Sequence, residues 1–451
     1  MILTSFLAAL LVPLAAPEPL SFTEAVRRAR THHPLVEAAR AGAAAATRRA
    51  TAAWAWDDPQ LGAQLWNVPL SNVEGALLPG RSAQDRARTL LLGPDSVPVM
   101  VTASQTFPWP GKRAARADEA RAMAEEADAT VTTTSADVDR AVAYAYADLR
   151  AAASTGKTFR DNLHFLDGAL AAAEARLEAA TGSLADMLAA QTERDSAERA
   201  LLDFALQEEV ARARLAALMG VVPSEVGAAR DVVVVSALPS RERLLEHALR
   251  GRPEFRAAHA QVAAASARAR AERLAALPDV TLTGGYTLAV GGLPVAVSEG
   301  PYRALLGPAD MITVGVNIPV PLFYPWKQSR AAQAADIEVR RANANTAALM
   351  RTVQADVDEA LAGIQHARGH MSLHAEKLIP LSLRSAEAAE AAYVSGTGNV
   401  LMLLGAARAV REHQLEFLEA QREYALRLAD LQRATGMELV AFGENTHRGK
   451  P

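Results

Sequence analysis

Three histidines have the spacing that comes nearest to a chemical site. His366, His370 and His374 recur every four residues in a stretch that is predicted to be helical, and a rotation of about 40° per step keeps them on one helix face. Imidazoles separated by four residues can chelate zinc or copper. No His-Glu-x-x-His motif accompanies them. The spacing therefore fits either a metal site or a histidine stripe that faces solvent or a lumen.

Other patterns that could support catalysis are incomplete. Gly111-Lys112 lacks the upstream glycine of a phosphate-binding loop, and the sequence contains no Gly-x-Ser-x-Gly motif. Glutamates 125–126 and 208–209 are adjacent on predicted helices, which is typical of solvated faces. Cysteine is absent, which excludes disulfides, thiol catalysis and a lipidated N-terminal cysteine. The sequence predicts neither an enzyme nor a bound cofactor.

The composition favours long, closely packed helices over one thick core. The chain has 451 residues, of which 50% are hydrophobic but only 5% aromatic. Roughly a fifth of the residues are alanine, which is the best helix former and lets helices approach closely. The net charge of -4 and the scattered Lys and Arg residues provide no basic surface for nucleic acid.

The N-terminus resembles an export signal. Ile2 to Leu14 form an apolar run that is too short to cross a bilayer as a helix, and small residues follow it before Pro17. This pattern predicts a signal peptide over residues 1–16, with cleavage near Ala16. No basic residue precedes the apolar run, so a wrongly assigned start or an ordinary buried segment remains an alternative.

The sequence repeats itself once. Residues from Pro34 onward match those from Pro253 onward at a shift of 219, and the stretch from Thr181 to Gly220 matches a second stretch at a shift of 216. We therefore predict a first repeat over 17–220, a linker over 221–240, a second repeat over 241–436 and a tail over 437–451.

Each repeat is predicted to contain a helix, two strands, a very long helix and a long return helix. The expected strands cover 60–68 and 99–107 in the first repeat, and 279–290 and 311–320 in the second. The expected long helices cover 114–180 and 328–394, and the return helices cover 184–218 and 400–434.

The strands have the length and alternation of membrane-crossing strands. About ten residues suffice for a tilted strand to cross a bilayer. Four strands cannot close a barrel, and an open edge in hydrocarbon would leave backbone groups unpaired. The strands must therefore either pack in a soluble sandwich or join those of other copies.

Aromatic residues cluster where the predicted strands meet helices, as they do in the interfacial girdles of membrane barrels. Core aromatics at a domain junction would give the same pattern. The aromatic residues are Trp54, Trp56, Phe107, Trp109, Phe323, Tyr324 and Trp326.

These features together resemble the TolC-like outer-membrane efflux proteins over nearly the whole chain. The resemblance rests on the repeated layout, on the strand exits at residues 105–113 and 316–323, and on Leu378-Ile-Pro380 followed by Tyr393, Gly396 and Gly398. The Trp-Pro-Gly-Lys form of the first exit is most similar to the subgroup that serves heavy-metal cation pumps.

The resemblance implies a mainly α-helical fold with a transmembrane β-barrel, built by a trimer in the bacterial outer membrane. Each chain would give four strands to one barrel, and the helices would form a periplasmic tunnel. Such a protein is the exit duct of a tripartite pump for metal cations or drugs, joined through a periplasmic adaptor protein to an inner-membrane transporter. The competing hypothesis is a periplasmic or surface coiled-coil structural protein with a soluble β-sandwich.

The resemblance also implies roles for the turns between long and return helices. In the family this region meets the adaptor, and here it comprises Thr181, Gly182, Ser183, Gly396, Thr397 and Gly398. The family has glycine where this chain has Ala180. Asp186 matches a carboxylate that lines the tunnel entrance, whereas Met402 occupies the equivalent position of the second repeat. A ring of Asp186 residues would attract cations and take part in a gate, but a solvated surface aspartate is the alternative.

Overall fold

The computed structural model describes residues 18–65, 73–74, 76–80, 82–86, 97–234, 237–290, 295–296, 305–306, 310–439 and 442–443. The predicted signal peptide lies outside them. So do residues 66–68 of the first expected strand, 235–236 of the expected linker, and 440–441 and 444–451 of the expected tail. The chain divides into two compact units. The helical unit comprises residues 1–45, 125–259 and 344–451, and the sheet unit comprises 46–124 and 260–343.

The described elements follow one another in the predicted order. The first half contains α1 (Phe22–His32), α2 (Pro34–Ala52), β1 (Gln60–Leu65), β2 (Val97–Phe107), α3 (Lys112–Glu178), α4 (Leu184–Met219) and β3 (Val232–Val233). The second half contains α5 (Arg241–Gly251), α6 (Pro253–Leu274), β4 (Val280–Val290), β5 (Val295–Ala296), β6 (Leu305–Leu306), β7 (Met311–Asn317), α7 (Gln328–Leu373), a π-helical segment (His374–Leu378), α8 (Ile379–Val394), α9 (Val400–Thr435) and β8 (Phe442–Gly443).

The element bounds recur between the two halves. α1 and α5 begin and end 219 residues apart, and the first and last residues of the long and return helices recur 216 residues later. Local chemistry explains the shared ends. Ser183 and Asn399 accept hydrogen bonds from the backbone of α4 and α9, while Gly220 and Gly436 end these helices in left-handed conformations. That the halves arose by duplication stays a prediction.

The second long helix is interrupted, which the sequence analysis did not predict. α3 is a continuous α-helix of 67 residues, whereas π-helical turns occupy His374–Leu378 in the second repeat. Pro380 follows this segment and has no N–H, and its ring would collide with the carbonyl four residues earlier in a regular α-helix. The wider turns resolve this conflict, since the Ile379 N–H donates to the His374 carbonyl instead.

The core of the helical unit is centred on Tyr146 of α3. This side chain is fully buried, and its hydroxyl donates to the Leu20 carbonyl at 2.9 Å while accepting from the Asp231 N–H at 3.1 Å. Burial raises the pKa of the Tyr146 hydroxyl to about 12. Asp231 lies in the expected linker, so this part of the linker is packed against the helical core.

The sheet unit contains a four-stranded antiparallel sheet with the order β1-β2-β4-β7. Its cross-strand rows alternate in character. Ala63, Val101, Tyr286 and Ile312 lie opposite one another, and the adjacent row consists of Gly62, Thr102, Gly285 and Thr313. Since successive side chains point to opposite faces, one face is apolar and the other is polar or small.

Strand β7 is shorter than the sequence predicted. It ends at Asn317 rather than at residue 320. Pro319 cannot donate to a strand ladder and restricts the residue before it, which accounts for the early end. In the described residues, no helix is both long and apolar enough to cross a membrane.

Lys112 fixes the first strand exit to the start of β4. Its ammonium donates to the Leu277 carbonyl at 2.7 Å and to the Asp279 carboxylate at 2.8 Å. The same carboxylate oxygen accepts the Trp109 N–H at 2.8 Å. Lys112 is only 8% exposed, while the Asp279 side chain is partly exposed, so the lysine end of the ion pair is shielded from water. The turn before it needs Gly111, whose φ is +96°.

We predict that Lys112→Met lowers the free energy of unfolding by about 2 kcal/mol, because it leaves the Asp279 carboxylate without its charged donor. The measurement is urea unfolding followed by circular dichroism. Arg121→Met is the control, since Arg121 pairs with Asp118 on an exposed helix surface, and its loss is expected to cost less than about 0.5 kcal/mol. Equal losses in the two variants would contradict the role of Lys112.

Candidate functional site at the helix turns

In the turn between α3 and α4, two backbone N–H groups donate to the same backbone carbonyl. The N–H groups of Thr181 and Gly182 donate to the Arg176 carbonyl at 2.9 and 2.8 Å. Ala180 adopts a left-handed conformation, with a φ of +57°. Ser183 then caps α4 by accepting the Asp186 N–H at 3.1 Å. The predicted adaptor-contact residues of the first repeat thus form one compact reversal.

The turn between α8 and α9 has the same construction. The N–H groups of Thr397 and Gly398 donate to the Ala392 carbonyl at 3.0 and 2.8 Å. Gly396 takes the left-handed position with a φ of +81°. The backbone geometry of the two turns therefore matches, although the residue at the left-handed position differs.

Two glycines are required for close backbone approach. A Cβ atom on Gly182 would lie 2.9 Å from the Arg176 Cβ, and one on Gly398 would lie 3.0 Å from the carbonyl carbon of Ala392. The left-handed position is a different case, since Ala180 occupies it in the first turn. A left-handed conformation costs an L-residue roughly 1–2 kcal/mol, so the surrounding hydrogen bonds must hold Ala180 there.

Arg176 joins the two turns, although it was not among the predicted site residues. Its Nη1 donates to the Tyr393 carbonyl at 2.8 Å, and its guanidinium carbon lies 4.7 Å from the centre of the Tyr393 ring. A cation at this position also compensates the negative C-terminal end of α8. Tyr393 is buried, and burial raises the pKa of its hydroxyl. The pair spans 217 residues, so no local spacing could reveal it.

A buried carboxylate reinforces the same bundle. Glu193 of α4 is 8% exposed and accepts hydrogen bonds from Arg408 and Arg411 of α9. The hydrogen bonds from Arg408 contribute most to holding the pKa of Glu193 below its usual value. Apolar residues surround the turns on this side, and they include Leu166, Ala190, Ala389, Val400, Leu403 and Leu404.

Asp186 and Met402 lie at equivalent positions in the first turns of α4 and α9. The Asp186 N–H bonds to the Ser183 hydroxyl, and the Met402 N–H bonds to the Asn399 side chain at 2.8 Å. Asp186 is half-buried and lies at the positive N-terminal end of α4. Met402 is exposed. The role of either residue in a gate stays a prediction.

The three predicted histidines lie in a row, but they differ in surroundings. The ring centres of His366 and His370 are 4.4 Å apart, and those of His370 and His374 are 6.2 Å apart. His366 and His370 are exposed, whereas His374 is buried. Within the described residues, the group of three potential ligands with suitably close atoms consists of His374, His413 and Glu416. His413 and Glu416 were not predicted.

The seven aromatic residues named from the sequence are all exposed. They belong to the sheet unit, where Arg113 stacks between two of them. Its guanidinium carbon lies 5.1 Å from the Trp54 ring centre and 3.8 Å from the Trp56 ring centre. Trp56 also contacts Phe107 edge to face at 5.7 Å. Their placement at a membrane interface stays a prediction.

The chain is similar in structure to solved outer-membrane proteins. It superposes on the outer-membrane channel OprN with a TM-score of 0.74 and 20% identity, covering 92% of this chain and 89% of that one. VceC from Vibrio cholerae gives a TM-score of 0.71 and 19% identity, with coverages of 92% and 96%. CusC gives 0.74 and 17%, with 93% of each chain covered. At these identities the likeness shows the fold.

The sequence itself identifies the family. No curated protein matches the chain. The profile described as "Outer membrane efflux protein" matches residues 25–221 and 244–437, which is most of the chain. The chain therefore belongs to the outer membrane efflux protein family, as the strand exits and helix turns indicated.

Proposed function

We propose that this chain is the outer-membrane exit duct of a tripartite efflux system. Three copies each supply four strands to one membrane barrel, and their helices form a tunnel in the periplasm. The duct passes substrate outward from a periplasmic adaptor protein and an inner-membrane pump. Outer membrane efflux proteins are passive channels, so the chain is not an enzyme.

The exposed apolar face of the sheet carries this proposal. Leu61, Ile312 and Val314 are each more than 80% exposed, and their rows alternate with rows of threonine and glycine. A face of this kind suits lipid, while the opposite face suits an aqueous lumen. β1 and β7 form the edges of the sheet. In a membrane these edges must pair with other copies, since each unpaired backbone group there costs several kcal/mol.

The competing function is that of a coiled-coil structural protein. It requires a second layer to cover the apolar face in a soluble sandwich. The high exposure of Ile312 and Val314 favours the duct instead. Conductance separates the two functions, because a structural fibre would conduct no ions across a lipid bilayer.

We predict that the purified protein conducts ions in planar bilayers and that Val314→Arg abolishes this conductance. Arginine on the lipid face near the bilayer midplane costs about 2–4 kcal/mol per chain, and assembly of three copies multiplies this cost. Thr313→Arg is the matched control, because the neighbouring residue points to the opposite face. It should leave assembly intact and change ion selectivity. Absence of wild-type conductance, or equal effects of the two variants, would contradict the proposal.

The helix turns are proposed as the adaptor-binding site. They present exposed hydroxyl-bearing side chains at Thr181 and Thr397 beside glycines that allow close contact. Exposed apolar residues flank both turns and provide further area for a partner. These residues are Leu184, Leu188, Val394 and Leu401.

We predict that single cysteines at Thr181 and Thr397 form cross-links to the adaptor protein. The natural chain contains no cysteine, so each variant carries one reactive thiol. Thr130→Cys is the control, since Thr130 is exposed on α3 away from the turn residues. Cross-linking in cells with a short bifunctional reagent is the measurement. Equal yields at positions 130 and 181 would argue against a docking site at the turns.

The proposed cargo is heavy-metal cations, and the proposed cation-attracting ring is formed by Asp186. The cargo assignment is supported by the Trp-Pro-Gly-Lys strand exit at 109–112. The ring is supported by the position of Asp186 in the first turn of α4, next to the chain reversal. In a trimer it places three like charges around one axis, which concentrates cations.

We predict that Asp186→Asn lowers the ratio of cation to anion permeability and that Met402→Asp raises it. The second variant adds a carboxylate at the equivalent position of the second repeat, so the pair tests charge at matched sites. Bilayer reversal potentials measure the ratio. In an efflux-deficient strain, tolerance of zinc or copper salts should change in the same directions. Unchanged selectivity in both variants would show that the ring does not control entry.

A further inference from the structure

A buried histidine and two residues of the opposing helix converge in the second repeat. His374 lies in the π-helical segment, whereas His413 and Glu416 lie on α9. The His374 Nε2 is 3.5 Å from the Glu416 Oε2, and the His413 Nδ1 is 3.3 Å from the same oxygen. The ligand atoms of all three residues lie within 4.8 Å of one another. The predicted histidine stripe contributes one member to this cluster.

The two short distances are close to the separation of neighbouring ligand atoms in a tetrahedral zinc site. Zinc bonds of about 2.0–2.1 Å in a tetrahedron place neighbouring ligand atoms about 3.3–3.4 Å apart. The imidazole and carboxylate atoms already have this separation. The remaining pair, the two histidine nitrogens, lies within 4.8 Å and must come closer for all three atoms to share one ion.

The surroundings of His374 are unusual for a histidine that serves only packing. The residue is only 4% exposed. Its Nδ1 has no hydrogen-bond partner among the described residues, and its Nε2 points at Glu416. A buried polar atom without a partner is unfavourable, and the other nitrogen, Nε2, is the atom that the cluster offers to an ion. π-helical turns are rare and occur often at functional sites, and here they carry the buried ligand.

We propose that His374, His413 and Glu416 form a binding site for a divalent transition-metal ion of the zinc class. Two imidazoles and one carboxylate suit zinc, and they suit calcium and magnesium poorly, because those ions prefer oxygen ligands. Three protein ligands leave a fourth position for water, which can enter beside the half-exposed Glu416. The bound ion joins the π-helical segment to α9 and so holds the second helix hairpin together.

The first repeat has no equivalent of this site. At a shift of 216 residues, the three ligands correspond to Thr158, Ala197 and Ala200. α3 is also a continuous α-helix through residue 158. The ion therefore acts on one hairpin of each chain. This inference does not depend on the proposed export function, because a zinc site between two helices requires neither a channel nor a pump.

The test is calorimetric titration of the purified full-length protein with zinc chloride. Wild type should bind one ion per chain at this site. His413→Asn and Glu416→Gln should each weaken the affinity at least about 10-fold, since even outer partners of metal ligands contribute 10–100-fold. These two side chains are partly or largely exposed, so the variants should fold normally. His366→Asn is the matched control on the histidine stripe and should bind as wild type does.

A second measurement separates loss of the site from loss of folding. Zinc should raise the unfolding temperature of wild type and of His366→Asn, because an ion that binds only the folded state stabilises it. At the same zinc concentration the increase should be smaller for His413→Asn, whose unfolding temperature without zinc should equal that of wild type. Wild type that binds no zinc would overturn the proposal. So would a pattern in which His366→Asn loses zinc while His413→Asn retains it, since that would place the ion on the exposed stripe.

Discussion

The backbone groups along the outer edges of β1 and β7 impose the strongest constraint on this molecule. The strand order is β1-β2-β4-β7, and backbone groups hydrogen-bond only between neighbouring strands. β1 and β7 therefore each have one edge that faces no strand of this sheet. In the proposed membrane barrel the apolar face of the sheet contacts hydrocarbon, where no water can hydrogen-bond to an open edge. In the proposed trimer, β7 of one copy pairs with β1 of the next. This pairing leaves the apolar face in contact with lipid and also hydrogen-bonds the open edges. The function as a duct is then a consequence of edge pairing, because a closed ring of strands encloses a lumen.

The contacts beneath the helix turns serve the same requirement for a defined assembly. Alanine-rich faces let the helices approach closely, but small apolar residues give little specificity of register. Directional hydrogen bonds between the two hairpins supply this specificity. Arg176 bonds to Tyr393, and Glu193 accepts from Arg408 and Arg411. Removing one partner of such a buried pair leaves a charge without compensation. These side chains therefore link the α3–α4 hairpin to the α8–α9 hairpin.

The sequence predicted the backbone framework better than the contacts that join it. Helix ends at Gly220 and Gly436 were predictable because capping and glycine at a helix end are local chemistry. The alternation in β7 was equally local. The π-helical segment was missed, since Pro380 indicates a disturbed helix without specifying how the disturbance is resolved. Glu193, Arg176 and His413 were missed because their partners lie elsewhere in the chain, and only the packed hairpins bring them together.

The two repeats share backbone geometry but differ in side-chain chemistry, and the differences favour distinct roles. Both turns place a residue in the left-handed region, yet Ala180 occupies the first and Gly396 the second. Asp186 has Met402 as its counterpart, and the buried His374 has Thr158. In a symmetric trimer the two hairpins of each chain alternate around the axis, so every difference recurs three times. Two identical repeats would give six equivalent positions in a trimer. A charged residue at such a position would then place six like charges around one axis. If both proposals hold, the divergence places one Asp186 carboxylate per chain at the entrance and the metal site on the other hairpin. One hairpin would then set the charge of the entrance, and the other would be stiffened independently.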